Sequence, residues 1–200
     1  MDEVSRTESV YEGESDAFVE KYQTESVADL YGERFFDALS GPCVLDVGCG
    51  PGADTAVFSD RGLDVVGFDR TGSFLQAARE AVPEGRYVRG DMRDLPFASG
   101  HFDGLWASAS LLHVPREAVP ATIREFRRVL ADDGVALVTL KRGTESGYAE
   151  DGRYFERYTV EEVRTLFAEN GFDAVAVEAK PDWLQVLAGE TGAAPGSDAR

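Results

Sequence analysis

The sequence predicts an α/β domain: a Rossmann-like, doubly wound, seven-stranded and mostly parallel sheet that ends in an antiparallel C-terminal hairpin. Three observations carry that prediction. Short apolar runs alternate with amphipathic helical stretches between residues 13 and 188, the pattern of repeated βαβ units. A glycine-rich turn, Asp46-Val47-Gly48-Cys49-Gly50-Pro51-Gly52, stands between the first strand and the next helix. The last two strands are separated only by Lys180-Pro181-Asp182, too short for a crossover but enough for a hairpin.

Each element has its own signal. Residues 1–12 are polar and charged and predict a loose N-terminus. Residues 13–40 predict a helical lid, with Val27, Tyr31, Phe35 and Leu39 at i+4 spacing from Asp16 to Leu39 and a stop at Gly41-Pro42. Strand 43–47 leads through the glycine turn into a helix over 52–60, ended by Gly62. Strand 64–68 precedes Ser73-Phe74-Leu75-Gln76, a capping-box pattern opening a helix that stops before Pro83. Strand 86–90 runs into the loop Asp91–Phe97, and strand 102–108 is followed by a helix around Val119, Ile123, Phe126 and Leu130. Asp132-Asp133-Gly134 predicts a turn into strand 135–140. Thr159 and Glu162 form a second capping box, whose helix ends at Asn170-Gly171. Strands 172–178 and 183–187 close the domain at residue 188, and the Gly/Ala/Pro/Ser/Asp-rich stretch 189–200 predicts a disordered tail.

Composition narrows the partners. The 200 residues carry 37 acidic and 20 basic side chains, a net charge of −17, which repels phosphate backbones and argues against a nucleic-acid protein. Lysine is confined to Lys21, Lys141 and Lys180. Acid-rich, lysine-poor composition fits a halophilic cytoplasm, where salt screens the repulsion and charge ceases to be a guide to partners. No apolar run approaches the roughly 18 residues of a membrane span, and the acidic N-terminus has no secretory pattern. The expectation is a cytoplasmic protein without a membrane partner, either a monomer or a homodimer. Cys43 and Cys49 flank a strand and a turn, with thiols pointing apart, so neither a disulfide nor metal binding is expected. His101 and His113 are the only histidines, and no zinc spacing appears.

The glycine turn lets backbone approach a ligand without Cβ interference and offers N–H donors at a helix start. Asp69 ends the second strand, about twenty residues on, where a carboxylate accepts both hydroxyls of a ribose. Asp91 ends the third, with Met92 beside it to lie against an aromatic base. In an open sheet these strand ends face one crevice. Gly48, Gly50 and Ala53 also satisfy the dinucleotide pattern, so an NAD(P)-type oxidoreductase is an alternative. Asp46 is poorly placed for a pyrophosphate and well placed for a cation, and a hairpin replaces the second mononucleotide half. Both features favour a mononucleoside with a positive tail.

At this point the chain resembles the class I S-adenosylmethionine-dependent methyltransferases. The matching stretches are Val44–Gly52, Val66–Asp69, Gly90–Phe97 and Phe102–Val114, and the likeness spans about residues 35–188. It implies the strand order 3-2-1-4-5-7-6, S-adenosyl-L-methionine as cofactor and methyl transfer to a small-molecule acceptor. By the family pattern Gly48, Gly50 and Gly52 pack on the methionine part and Asp46 contacts it. Asp69 holds the ribose, Asp91 takes the adenine amino group with Met92 beside the ring, and Ala107 or Ser108 lies near the sulfonium. Arg70 replaces the small or hydrophobic residue often found after the ribose acid. His113 is the base candidate, against the alternative of a structural histidine bonding a backbone carbonyl. Tyr22 is the preferred lid contact from a set that includes Tyr11 and Phe18. A non-catalytic cofactor-binding member of the fold is the other alternative.

Three further groups complete the reading. Trp106 reads as core. Arg116, Arg124, Arg127 and Arg128 read as a solvated helix face with partners such as Glu125. The connection Lys141–Tyr158 is either a surface excursion or a wall of the acceptor pocket, with Arg142, Arg153, Tyr154 and Arg157 facing the substrate.

Overall fold

The computed structural model describes residues 2–189; residues 190–200 of the expected tail lie outside the described residues. Four short helices, α1 (Glu3–Gly13), α2 (Ser15–Tyr22), α3 (Val27–Tyr31) and α4 (Glu33–Ala38), precede β1 (Cys43–Val47). Then come α5 (Ala53–Asp60), β2 (Asp64–Asp69), α6 (Gly72–Ala81), β3 (Arg86–Arg89), β4 (Phe102–Ala107), a 3-10 turn at Leu111–His113 and α7 (Val119–Val129). β5 (Leu130–Arg142), the two-residue strands β6 (Gly147–Tyr148), β7 (Tyr154–Phe155) and β8 (Arg157–Tyr158), α8 (Val160–Glu169), β9 (Ala174–Ala179) and β10 (Trp183–Gly189) complete the chain.

The sheet order is β3-β2-β1-β4-β5-β10-β9, with β8 added beside the end of β5. β1 to β5 are parallel, with Asp46 opposite both Gly67 and Trp106. β10 runs antiparallel to β5 and to β9. This is the predicted seven-stranded, doubly wound arrangement with its terminal hairpin. Val44, Leu45, Asp46 and Val47 are all buried, as a central parallel strand covered on both faces requires. One face packs Leu45, Leu105, Ile123, Phe126 and Phe167. The other packs Val44, Phe35, Phe58, Trp106 and Leu137, which makes Trp106 a core residue.

The structure corrects the sequence reading in four places. Residues 3–13 are a helix rather than a loose end: the Asp2 side chain accepts the Ser5 N–H at 2.8 Å and caps it. The stripe from Asp16 to Leu39 is divided among α2, α3 and α4. Ser26 caps α3 by accepting the Asp29 N–H and donates its hydroxyl to Asp54 at 2.6 Å, starting a new helix there. Only Phe35 of the four stripe residues is fully buried, and Tyr31 is exposed. The cap of α6 is not local: the Glu12 carboxylate of α1 accepts the N–H groups of Gly72 at 2.6 Å and Ser73 at 3.3 Å. Lastly, Asp132-Asp133-Gly134 is a bulge inside β5, because Phe102 pairs Leu130 while Gly104 pairs Val135.

The arginines around α7 also do more than face solvent. Arg128 pairs with Glu125 at i,i+3 as expected. Arg116 instead ties Glu156 and Glu162 together, Arg124 donates to Asn170, and Arg127 donates to the Leu130 and Ala131 carbonyls.

Candidate active site

The glycine turn at the end of β1 is shaped by close approach and by backbone hand. Gly48 has φ +74°, and a Cβ there would stand 2.2 Å from the Ser110 Cβ. Its N–H and that of Cys49 donate to the Phe68 carbonyl, fastening the turn to β2. Ser110, just past β4, donates to the Val47 carbonyl at 2.7 Å from the other side. Gly50 has φ +54° with open space where a Cβ would sit, and Gly52 has φ +92° at the start of α5.

Two buried carboxylates flank this turn. Asp46 accepts the Thr55 hydroxyl at 2.6 Å, and burial, aided by the charge of Asp54, pushes its pKa well above the ordinary value. Asp69 accepts the Gly50 N–H on one oxygen at 2.9 Å and the Thr71 N–H on the other at 2.7 Å. Burial raises its pKa, although those backbone donors work against the rise. The Gly50 and Thr71 N–H groups fix both oxygens in place, with the Thr71 hydroxyl and the Arg70 N–H also directed at the carboxylate. The sequence-predicted residues Asp46, Gly48, Gly50, Gly52 and Asp69 therefore stand together around the ends of β1 and β2, with Gly50 and Asp69 hydrogen-bonded to each other.

Asp91 stands differently. Its carboxylate is held by the guanidiniums of Arg70 and Arg93. Burial favours its neutral form, but these partners outweigh burial and keep the pKa below the usual range. Met92 is half-buried and packs against the core. At the end of β4, Ser108 lies 3.5 Å from the Thr139 hydroxyl, which accepts the Ala109 N–H at 2.8 Å. Ala109 has φ +49°, a conformation that costs a residue with a Cβ about 1–2 kcal/mol and that clusters at functional sites.

A second group lies where α1 and α2 meet the connection after β5. Arg153 Nη1 donates to the Tyr11 hydroxyl at 3.1 Å and to the Tyr22 hydroxyl at 2.9 Å, while Nη2 pairs with Asp151 at 2.7 Å. Its guanidinium lies over the rings of Tyr11, Phe18 and Phe155. Tyr11 and His113 Nε2 are 2.9 Å apart, and His113 Nδ1 is 2.6 Å from the Tyr154 carbonyl. A carbonyl only accepts, so Nδ1 carries the ring proton and Nε2 accepts from Tyr11. Burial lowers the His113 pKa to about 4 and raises that of Tyr11. The direction of donation is thus fixed from Arg153 through Tyr11 and His113 to Tyr154.

Sequence reasoning placed His113 near the acceptor and Tyr22 in a lid over the cofactor but did not join them. Tyr22 hydrogen-bonds Arg153, and His113 makes the carbonyl bond of its structural alternative. Of the residues expected to line the 141–158 wall, Arg153 and Tyr154 reach this group, whereas Arg142 donates to the Lys180 carbonyl. Glu156 was missed. It is buried and gathers Ser146, Tyr154 and Arg116, and its N–H donates to the Leu112 carbonyl. No local pattern links residue 11 to residues 113 and 153.

A parallel sheet in this order, closed by an antiparallel hairpin, is the doubly wound fold of Rossmann-like methyltransferases. Residues 44–134 match the methyltransferase domain family. The chain is 38% identical over 103 residues to an uncharacterized methyltransferase of Synechocystis sp., covering 51% of this chain and 49% of that protein. It is 31% identical over 96 residues to a malonyl-[acyl-carrier protein] O-methyltransferase of Enterobacter lignolyticus, covering 48% and 38%. The chain spans about half the length of the curated relatives it matches. Among solved structures, 1,6-didemethyltoxoflavin-N1-methyltransferase of Burkholderia thailandensis, with S-adenosylhomocysteine bound, superposes with a TM-score of 0.71 at 20% identity, covering 92% and 86%. Residues 44–134 thus match a methyltransferase domain in sequence, and the fold is that of solved S-adenosylmethionine-dependent methyltransferases.

Proposed function

We propose that the protein transfers a methyl group from S-adenosyl-L-methionine to a small-molecule acceptor. The observation that carries this reading is the buried Asp69 beside Gly50: two carboxylate oxygens, each fixed by a backbone N–H, next to open backbone. That pair of acceptor oxygens fits the two hydroxyls of a ribose. Asp69 would hold the two hydroxyls, and the backbone at Gly48, Gly50 and Gly52 would pack along the methionine part, with Asp46 balancing its ammonium. Met92 would lie against the base. When bound, the sulfonium supplies an electrophilic methyl carbon, so the acceptor's lone pair forms the new bond while the sulfur keeps the electrons of the old one. The chain's residues then have to align the reactants and exclude water. Ser108 and Ala109, set by Thr139, stand at the end of β4 where acceptor and sulfonium would meet.

His113 is neutral near pH 7, and its Nε2 is an acceptor. For an acceptor hydroxyl, Nε2 would receive the proton once that hydroxyl takes the place of Tyr11. The names of a toxoflavin-precursor methyltransferase and of demethylmenaquinone methyltransferases support a small acceptor, while another relative is named for a malonyl group held on a carrier protein. No helix among the described residues is long and apolar enough to cross a membrane.

Calorimetric titration with S-adenosylhomocysteine and with NAD, followed by methyl transfer from labelled cofactor across a small-molecule panel, tests the reading. Binding of the homocysteine nucleoside and label transfer are expected. Binding of NAD alone would turn the site into that of an oxidoreductase, and tight nucleoside binding with no transfer over the panel would favour a sensor.

A further inference from the structure

Beyond the groups assigned to the cofactor, the end of β5 carries a row of side chains across three strands. β5 passes Thr139, whose hydroxyl accepts the Ala109 N–H and lies 3.5 Å from that of Ser108, and goes on to Lys141. Side chains alternate along a strand, so Thr139 and Lys141 share a face and stand about 7 Å apart. Lys141 is paired with Arg157 of β8 on one side and with Trp183 of β10 on the other. Its ammonium lies 3.8 Å from the centre of the Trp183 ring.

As it stands the row is electrostatically unfavourable. Among the described residues, neither Lys141 nor Arg157 forms an ion pair with a carboxylate. Like charges directly opposite each other destabilise a strand pair. Burial and the charges of Arg157 and Arg153 push the Lys141 pKa down, against the pull of Asp182. Arg153 carries the positive charge on toward the Tyr11 hydroxyl at 3.1 Å, and the Asp69 carboxylate acts on Tyr11 from the crevice side. The chain as a whole has a net charge of −17, so its overall field repels anions. Two cations kept face to face in so acidic a chain are a local cost of the kind that collects at binding sites.

We propose that Lys141 and Arg157 are specificity-determining residues that hold an oxyanion of the methyl acceptor, a carboxylate or a phosphate, while its reacting atom lies at Ser108 and Ala109. This names the acceptor class within the function proposed above and rests on that reading. One oxyanion placed between the two strands neutralises both cations and accepts from the ammonium and the guanidinium together. Charge-assisted hydrogen bonds of this kind are roughly twice as strong as neutral ones. The local positive charge also offsets the repulsion that the rest of the chain exerts on such an acceptor.

The two tryptophans report on the row: Trp183 lies against Lys141, and Trp106 is buried in the core. Nuclear magnetic resonance of the isotope-labelled full chain follows both indole N–H signals during titration with benzoate, phenyl phosphate and the neutral benzamide at constant ionic strength. In wild type the Trp183 signal should report an affinity for the anions about ten-fold above that for benzamide, with Trp106 unmoved. Lys141→Gln and Arg157→Gln should each bring that ratio close to one, and Lys141→Arg should keep it. The tighter of the two anions names the group. Equal affinity of wild type for all three compounds, or a preference that survives in both Gln variants, overturns the anion site. In methyl transfer from labelled cofactor, acidic acceptors should lead their amides in wild type and lose that lead in both Gln variants. Transfer confined to neutral acceptors separates the anion from the acceptor and overturns the proposal. If one Gln variant does not fold, the other decides. If S-adenosylhomocysteine does not bind the wild type, the function proposed above fails, and the titration alone judges the anion row.

Discussion

The crevice has two walls built by different means. On the sheet side, Asp46, Asp69 and the glycine turn are fixed by groups close in sequence, with Thr55 nine residues from Asp46 and Gly50 nineteen from Asp69. Most of the donors are backbone N–H groups that exist as soon as β1 and β2 pair. On the strap side, Tyr11 meets His113 across 102 residues and Arg153 across 142, and those hydrogen bonds are between side chains alone. The first wall is part of the fold; the second is laid on it. Breaking the sheet wall should therefore cost global stability or nucleoside affinity, and breaking the strap wall should loosen a segment.

The largest effect is expected inside the glycine turn. Gly48→Ala combines a left-handed φ with a Cβ 2.2 Å from that of Ser110, and overpacking plus backbone strain should lower stability by about 2–5 kcal/mol. Gly50→Ala keeps the strain without the clash and should cost only about 1–2 kcal/mol. Urea midpoints of the two variants separate close approach from backbone hand. Equal losses would mean that Ser110 moves aside and that the turn is less tightly set than its contacts indicate.

Next in size is Asp69→Ala. Removing a charged hydrogen-bond partner should weaken S-adenosylhomocysteine binding by about 1.5–3 kcal/mol in calorimetry. Unchanged affinity would remove Asp69 from the ribose and with it the main support for the sheet wall as a nucleoside site.

The contrast also explains what could be read in advance. Strand ends, the glycine turn and the Thr159–Glu162 capping box are local patterns with one physical meaning each, and the structure has them where the sequence puts them. The cap on α6 was misread because the donor groups at Gly72 and Ser73 look identical whether Ser73 or a distant Glu12 satisfies them. The helix at residues 3–13 was hidden for a related reason. Its side chains are mostly polar, so neither periodicity nor hydrophobicity marks it, and its tethers to Arg70 and Arg93 span 62 to 91 residues. Tyr11, Arg153 and Glu156 belong to the same category: each is an ordinary surface-type residue until the chain closes around it.

His113 sharpens the comparison through pH. Its pKa is 6.5 in the unfolded chain and about 4 in the folded protein. Between those values the unfolded ring holds a proton that the folded one does not. Stability is therefore full above pH 6.5 and is lost as pH falls toward 4, by about 1–2 kcal/mol between pH 7 and pH 5. Asp46 and Asp69, with pKa values raised by burial, work in the opposite sense, so the difference between wild type and His113→Gln isolates the ring. Urea titrations at both pH values should show the variant less sensitive to acid by that amount. Parallel curves would mean that the imidazole is wet and that the Tyr11 bond does not shield it.

The smallest global effect is expected at Arg153, although it touches more partners than any residue above. Its side chain is 12% exposed and bridges α1, α2 and the segment around β7. Those contacts lie outside the sheet core, and Tyr11 and Phe18 keep their edge-to-face contact without it. Arg153→Met retains an apolar stem for the Phe18 and Phe155 rings, so the loss should be about 1 kcal/mol in urea. Hydrogen exchange should register far more, with residues 15–22 losing protection while β1 and β4 keep theirs. A global loss as large as that of Gly48→Ala would show that the strap folds together with the sheet, and the separation of the two walls would not hold.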